Sequence, residues 1–180
     1  MKKITSLALA SIATIGSSLA NAQSSDLTGV YTELGIVQAY YKVPTANFNN
    51  TMGSLTLGYS INQYASFEIM GAGALNEANF NYGSTNINAK TSSAFGAYAK
   101  GTLPLDDKFG VFVKIGATNG TVTASSAYGS AWSSGTSFSY GGGIQLNFTK
   151  NVYGIAQYMS YYGMNSVTIV APSIGIGYKF

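Results

Sequence analysis

Glu33, Glu68, Lys100 and Lys114 are the side chains of this chain best suited to act on one another, since each is a lone charge inside an otherwise uncharged stretch. Opposite charges gathered in one poorly solvated place form ion pairs, and any of them buried alone would be costly. Catalysis has much less to draw on. The chain has no His and no Cys. Ser is plentiful, at Ser125, Ser126, Ser133 and Ser134 for example, but a hydroxyl without a positioned base is a weak nucleophile. There is no Gly-x-Ser-x-Gly elbow, no metal-ligand constellation and no phosphate loop. Gly141-Gly142-Gly143 falls in the middle of an alternating segment, where small residues relieve crowding rather than cradle a phosphate. The expectation is therefore a protein that is not an enzyme and takes no cofactor and no metal.

The elements that must position the four charges are read with a period of two. Only 8% of residues are charged, yet there are 22 Gly, 14 Tyr and 9 Phe, a composition too aromatic for disorder. No stretch after the first residues is apolar for long enough to be a membrane helix. Eight alternating segments emerge: 29–41, 52–61, a third from Ala65, 94–103, 109–118, 138–148, 152–161 and 168–180. In the first, Leu34, Ile36 and Tyr40 oppose Glu33, Gly35 and Ala39. In the fourth, Phe95, Ala97, Ala99 and Leu103 oppose Tyr98, Lys100 and Thr102. In the fifth, Val111, Val113 and Ile115 oppose Gly110, Phe112, Lys114 and Gly116. The phase of the seventh is ambiguous.

Short turns at 62–63, 104–108 and 149–151 alternate with loops expected at 42–51, 74–92, 119–136 and 162–167, rich in Asn, Ser and Gly. That asymmetry is the plan of an outer-membrane barrel, with the short turns periplasmic. Hairpin loops of a soluble β-sandwich are the alternative. Charge decides between them. Glu33, Glu68, Lys100, Lys114 and Lys179 all fall on the parity opposite the apolar one, so none would face lipid, where a charge at mid-bilayer costs about 2–4 kcal/mol. The remaining residues of that parity are mostly Gly, Ser, Thr and Ala, and the face is too sparsely charged for a soluble exterior. Counted from the short-turn rim, Glu33, Glu68, Lys100 and Lys114 share one layer. An eight-stranded barrel is just wide enough to be filled by side chains, so the four should pair and close the lumen. Four separately hydrated charges are the blander outcome.

Both chain ends fit. Lys2 and Lys3 precede an apolar stretch from Leu7 to Ile15 and the small-x-small site Ala20-Asn21-Ala22, which reads as a signal peptide over 1–22 with an outer-membrane β-barrel domain over 23–180. Cleavage would remove two of the nine basic residues and leave a nearly neutral chain, with no electrostatic case for nucleic acid. At the other end Ser173-Ile-Gly-Ile-Gly-Tyr-Lys-Phe180 alternates strictly. With Ser173, Gly175, Tyr178 and Phe180 in place, it resembles the C-terminal assembly signal of Gram-negative outer-membrane barrels.

Across 23–180 the chain resembles the small OmpA/OmpX-type barrels of the porin superfamily. Tyr98-Ala99-Lys100-Gly101-Thr102-Leu103-Pro104-Leu105 followed by Phe109 to Gly116 is similar to the fourth and fifth strands of that family's barrel domain. Unlike longer relatives, the chain is expected to consist of the barrel alone, without a peptidoglycan-binding domain. Pro172, inside the last segment, fits only where its missing N–H interrupts no ladder. The resemblance implies an all-β, eight-stranded, antiparallel up-and-down transmembrane β-barrel in the cell outer membrane, monomeric. Its partners would be outer-membrane lipid and lipopolysaccharide, the barrel assembly machinery and an extracellular ligand of the long loops. A structural or surface role with a filled lumen, a narrow porin for small solutes and a surface-loop adhesin are the functions to separate. Tyr128 and Trp132 are candidate loop anchors, and Trp132 is equally suited to an interface belt.

Overall fold

A computed structural model describes residues 29–43, 46–76, 78–82, 85–126, 129–162 and 168–180. The segment 1–22, expected to be a signal peptide, and Tyr128 lie outside them. The alternating segments become β1 (Gly29–Val43), β2 (Ala46–Ser60), β3 (Ala65–Ala74), β4 (Ala78–Tyr82), β5 (Thr85–Pro104), β6 (Phe109–Ser126), β7 (Gly129–Asn147), β8 (Val152–Tyr162) and β9 (Thr168–Lys179). All pair antiparallel in the order β3-β2-β1-β9-β8-β7-β6-β5-β4, with β3 also paired to β5. β3 and β4 lie one after the other along β5, so the nine segments make eight staves, closed where β9 meets β1 from Tyr31↔Lys179 to Lys42↔Thr168. Closure gives each spanning strand a partner on both sides, which is what lets a sheet cross a bilayer.

The alternation sorts outside from inside. Leu34, Leu57, Phe67, Ile69, Phe95, Val113, Ile115, Ile144, Ile174 and Ile176 are exposed on the outer wall, while Glu33, Glu68, Lys100 and Lys114 are buried within. Tyr153, Ile155 and Met159 are buried and Tyr158 exposed, which fixes the phase of the seventh segment. Close packing of the staves depends on glycine. Tyr31 lies over Gly58, its partner on β2, and Tyr153 over Gly177, its partner on β9; a Cβ on either glycine would fall inside the ring.

Three of the expected loops are largely strand. β1 and β2 continue the ladder to Val43↔Ala46, through most of 42–51. Within 74–92, β4 pairs with the start of β5, and within 119–136, β6 and β7 pair as far as Ser126↔Gly129. Such Ser, Thr, Asn and Gly runs lack a hydrophobic alternation, yet an adjacent strand offers every N–H and C=O a partner, which outweighs weak propensity. The short turns remain short but shift in their bounds, to 61–64, 105–108 and 148–151, so that the first has four residues rather than two and Pro104 ends β5. Pro172 is accommodated at the closing seam: the β8–β9 ladder runs on through Tyr158↔Pro172, whereas the β1–β9 ladder skips between Ser173 and Val170.

Candidate functional site

Each lumen charge stands where two local rules meet. Strand period turns it inward, and the stagger of the staves sets its height. Glu33 comes from β1, Glu68 from β3, Lys100 from β5 and Lys114 from β6. Lys100 and Lys114 are direct cross-strand partners. Like charges in that relation repel, so the pair is tolerated only because the carboxylates arrive from the other staves.

Lys100 Nζ lies 3.1 Å from Glu33 Oε1 and 3.2 Å from Glu68 Oε1. Lys114 Nζ lies 3.6 Å from Glu33 Oε2 and 2.6 Å from Glu68 Oε2. Each carboxylate touches both ammonium groups, closing a four-membered ring of alternating sign and zero formal charge. All four side chains are at most 4% exposed. Desolvation of this kind is repaid only with good geometry and further hydrogen bonds. Both are present: Tyr31 Oη donates to Glu68 Oε1 at 2.6 Å and Tyr153 Oη to Glu33 Oε1 at 3.0 Å. Phe112 supplies a face for both cations, 4.6 Å from Lys100 Nζ and 5.2 Å from Lys114 Nζ.

Sequence reasoning singled out the four charges and missed these three aromatics. Tyr31 and Phe112 could have been found, since each stands two residues before one of the charges and shares its parity. Tyr153 could not, because its segment had no legible phase.

Below the ring a cavity of about 930 Å³ opens to the short-turn rim, with Lys100 at its inner end and Ser66, Thr102, Gln145, Asn147 and Lys179 along its wall. Above the ring the lumen is filled by hydroxyl pairs and small apolar groups. Tyr98 Oη and Thr118 Oγ1 are 2.5 Å apart, Ser139 Oγ donates to Thr118 Oγ1 at 2.8 Å, and Tyr41 meets Thr91 beside Ala39 and Met52. The vestibule thus ends blind at the charged layer.

At the C-terminus Ser173 is buried, Gly175 packs against β1, and Tyr178 and Phe180 meet edge to face at 5.1 Å between centroids. Phe180 N–H donates to Val30 O at 3.0 Å, tying the chain end to the first strand. Tyr178, Tyr59, Phe109 and Phe148 form an exposed aromatic belt by the short turns. On β7 the next outward aromatics above Phe148 are Tyr140 and Phe138, eight and ten residues away. At about 3.3 Å per residue and a tilt near 40°, that spans roughly 20–25 Å, the height of a membrane band. Trp132 stands six residues further and so clears the belt by about 15 Å.

The family of the outer membrane protein beta-barrel domain matches residues 7–180. No curated protein matches the chain. Among solved structures it is similar to Ail, the attachment invasion locus protein of Yersinia pestis, crystallised with the heparin analogue sucrose octasulfate: 21% identity, 85% of this chain and 99% of that one, TM-score 0.65. It is similar also to Neisserial surface protein A, at 18% identity over 84% and 97% of the two chains with TM-score 0.66. The N-terminal barrel domain of Pseudomonas aeruginosa OprF shares 14% identity over 85% and 99%, with TM-score 0.61. These likenesses give the same fold, and with the family covering nearly the whole sequence and the barrel closed around a filled lumen, this chain belongs to the outer membrane protein beta-barrel domain family and is a protein of the outer membrane.

Proposed function

We propose that this protein is a non-enzymatic surface barrel whose lumen is held shut by the ring of Glu33, Glu68, Lys100 and Lys114. The single observation that carries the reading is the neutral ring itself, in which each carboxylate contacts both ammonium groups at full burial. A solute pore needs a hydrated path, and ions crossing this layer would have to break several desolvated charge contacts at once. Removing a lysine strands a carboxylate, which draws in water. The test is single-channel recording in a planar bilayer. Wild type is expected to show little steady conductance, and Lys100→Ala or Lys114→Ala to leak more. An open, steady wild-type conductance that neither substitution alters would instead favour the narrow porin.

Binding of an extracellular ligand is a second reading, supported by β5, β6 and β7 running to 20, 18 and 19 residues, well beyond what a bilayer needs. Ail, with the same fold, was crystallised with a sulfated sugar analogue, and a rim of this height is where a comparable encounter would occur here. Export through the cleaved segment 1–22, recognition of Ser173, Gly175, Tyr178 and Phe180 by the barrel assembly machinery, and a monomeric state complete the proposal.

A further inference from the structure

Above the upper aromatic belt, β6 and β7 carry an outward face unlike the wall beneath it. The register pairs Trp132 with Thr123, Ser134 with Thr121 and Thr136 with Asn119, and because cross-strand partners share a face, all six look out from the barrel. The next rungs down are Phe138↔Ala117 and Tyr140↔Ile115, which face lipid. One continuous face therefore turns from apolar to hydroxyl and amide at the height where the hydrocarbon ends. Trp132 is 75% exposed, more than any other large hydrophobic residue described. Asn119 Nδ2 donates to Thr136 Oγ1 at 3.0 Å, and Thr123 Oγ1 donates to Ser92 Oγ at 3.3 Å, which holds these groups in an ordered array.

A flat aromatic ring beside neutral donors and acceptors suits a pyranose, whose C–H face stacks on the indole while its hydroxyls exchange hydrogen bonds. A site built for phosphate would call for several Lys or Arg; the six residues carry no charge, and Lys90, the register partner of Thr123 on β5, is the one cation among the described residues that borders them. An outward face next to lipid has the glycolipids of its own leaflet as neighbours. We propose that this patch binds the core saccharide of a lipopolysaccharide molecule whose acyl chains lie along Ile115, Phe138 and Tyr140. The inference rests on the reading that the tall rim is extracellular, and it adds the residues and the sugar portion to the lipid partnership.

Trp132 is the only tryptophan, so its fluorescence reports on the patch alone. The full barrel is placed in nanodiscs of core-bearing lipopolysaccharide, of lipid A without core sugars, or of phosphatidylcholine, and acrylamide quenching is measured. Quenching should be at least about twofold weaker with the core sugars than in either other disc, as a ring covered on one face requires. Thr121→Val and Ser134→Ala, both exposed changes that leave heat-modifiability intact, should return it towards the lipid A value. Equal quenching in all three discs, or equal protection by lipid A alone, overturns the proposal. Labelling of Ser130→Cys on intact cells checks orientation separately. If the reagent fails to reach it, the orientation is wrong and the sugar site falls with it; if it reaches and quenching stays flat, only the sugar site falls.

Discussion

Lys114 and Glu68, 2.6 Å apart inside the lumen, are the tightest contact of the ring. Deleting one member of a buried pair leaves an uncompensated charge, a change that commonly costs about 3–5 kcal/mol. Lys114→Met should therefore lower the urea midpoint of the barrel refolded in detergent, and Glu68→Gln in the same chain should recover part of the loss by removing the stranded charge. Two single changes that were additive would mean that the groups are not coupled. Gly177 makes a steric prediction. A methyl there enters the Tyr153 ring, and overpacking of this kind costs about 1–3 kcal/mol, so Gly177→Ala should destabilise, with Tyr153→Ala restoring room but losing the hydrogen bond to Glu33. Outside the membrane, Asp106 accepts the backbone N–H groups of Lys108 and Phe109, both at 2.7 Å, and these bonds hold its carboxyl below the ordinary value. A depressed folded-state pKa stabilises the turn above the unfolded pKa, and the benefit fades as pH falls through the folded one. The protection factors of the Lys108 and Phe109 amides, taken against the intrinsic exchange rate at each pH, should fall at acid pH, and Asp106→Asn should flatten that dependence.

Strands and turns carry the topology. Epitope tags placed at 83–84 or 127–128 should be reached on intact cells, while tags at Asn62-Gln63 or Asp106-Asp107 should be silent until the membrane is opened. The reverse pattern would invert the barrel. The last strand is more exacting than the others, because β9 must close on β1 and its terminal N–H bonds Val30. Phe180→Ser keeps that backbone bond and removes the aromatic of the lower belt. The expected result is a sharp fall in heat-modifiable, folded protein in the outer membrane, with the chain degraded in the periplasm. Full yield would show that the terminal aromatic is dispensable.

Across the whole barrel, four lysines make two contrasting pairs. Lys100 and Lys114 are walled in at the centre, whereas Lys108 and Lys150 belong to the short turns. Trypsin acting on the folded protein should leave the bonds after Lys100 and Lys114 intact, and heating past the unfolding transition should release both cuts. Cleavage after Lys114 in the folded state would mean that the β5–β6 wall opens on the timescale of digestion.

Much of this was legible in one dimension because strand period is local. Whether Glu33 or Lys100 points inward depends on its parity relative to nearby apolar residues, and the shared height of the four charges follows from counting along strands between short turns. The residues carrying the polar and apolar faces, the eight staves and the short rim were therefore set by the sequence alone. Tertiary structure decided what depends on partners. The pairing of Lys114 with both Glu33 and Glu68, rather than with charges nearer in sequence, comes from closure, which sets β3 two staves from β6 and β1 on the wall opposite it. Tyr153 entered the site because β7 and β9 fix the phase of a segment whose own pattern is mute. The polar runs at 78–82, 85–92, 119–126 and 129–136 became strand because neighbours supply hydrogen bonds that composition does not announce, and Pro172 found its place because only one side of β9 is laddered there. Alternation is a property of a single strand, but register, stagger and the ends of strands are properties of pairs, and those exist only once the sheet has closed.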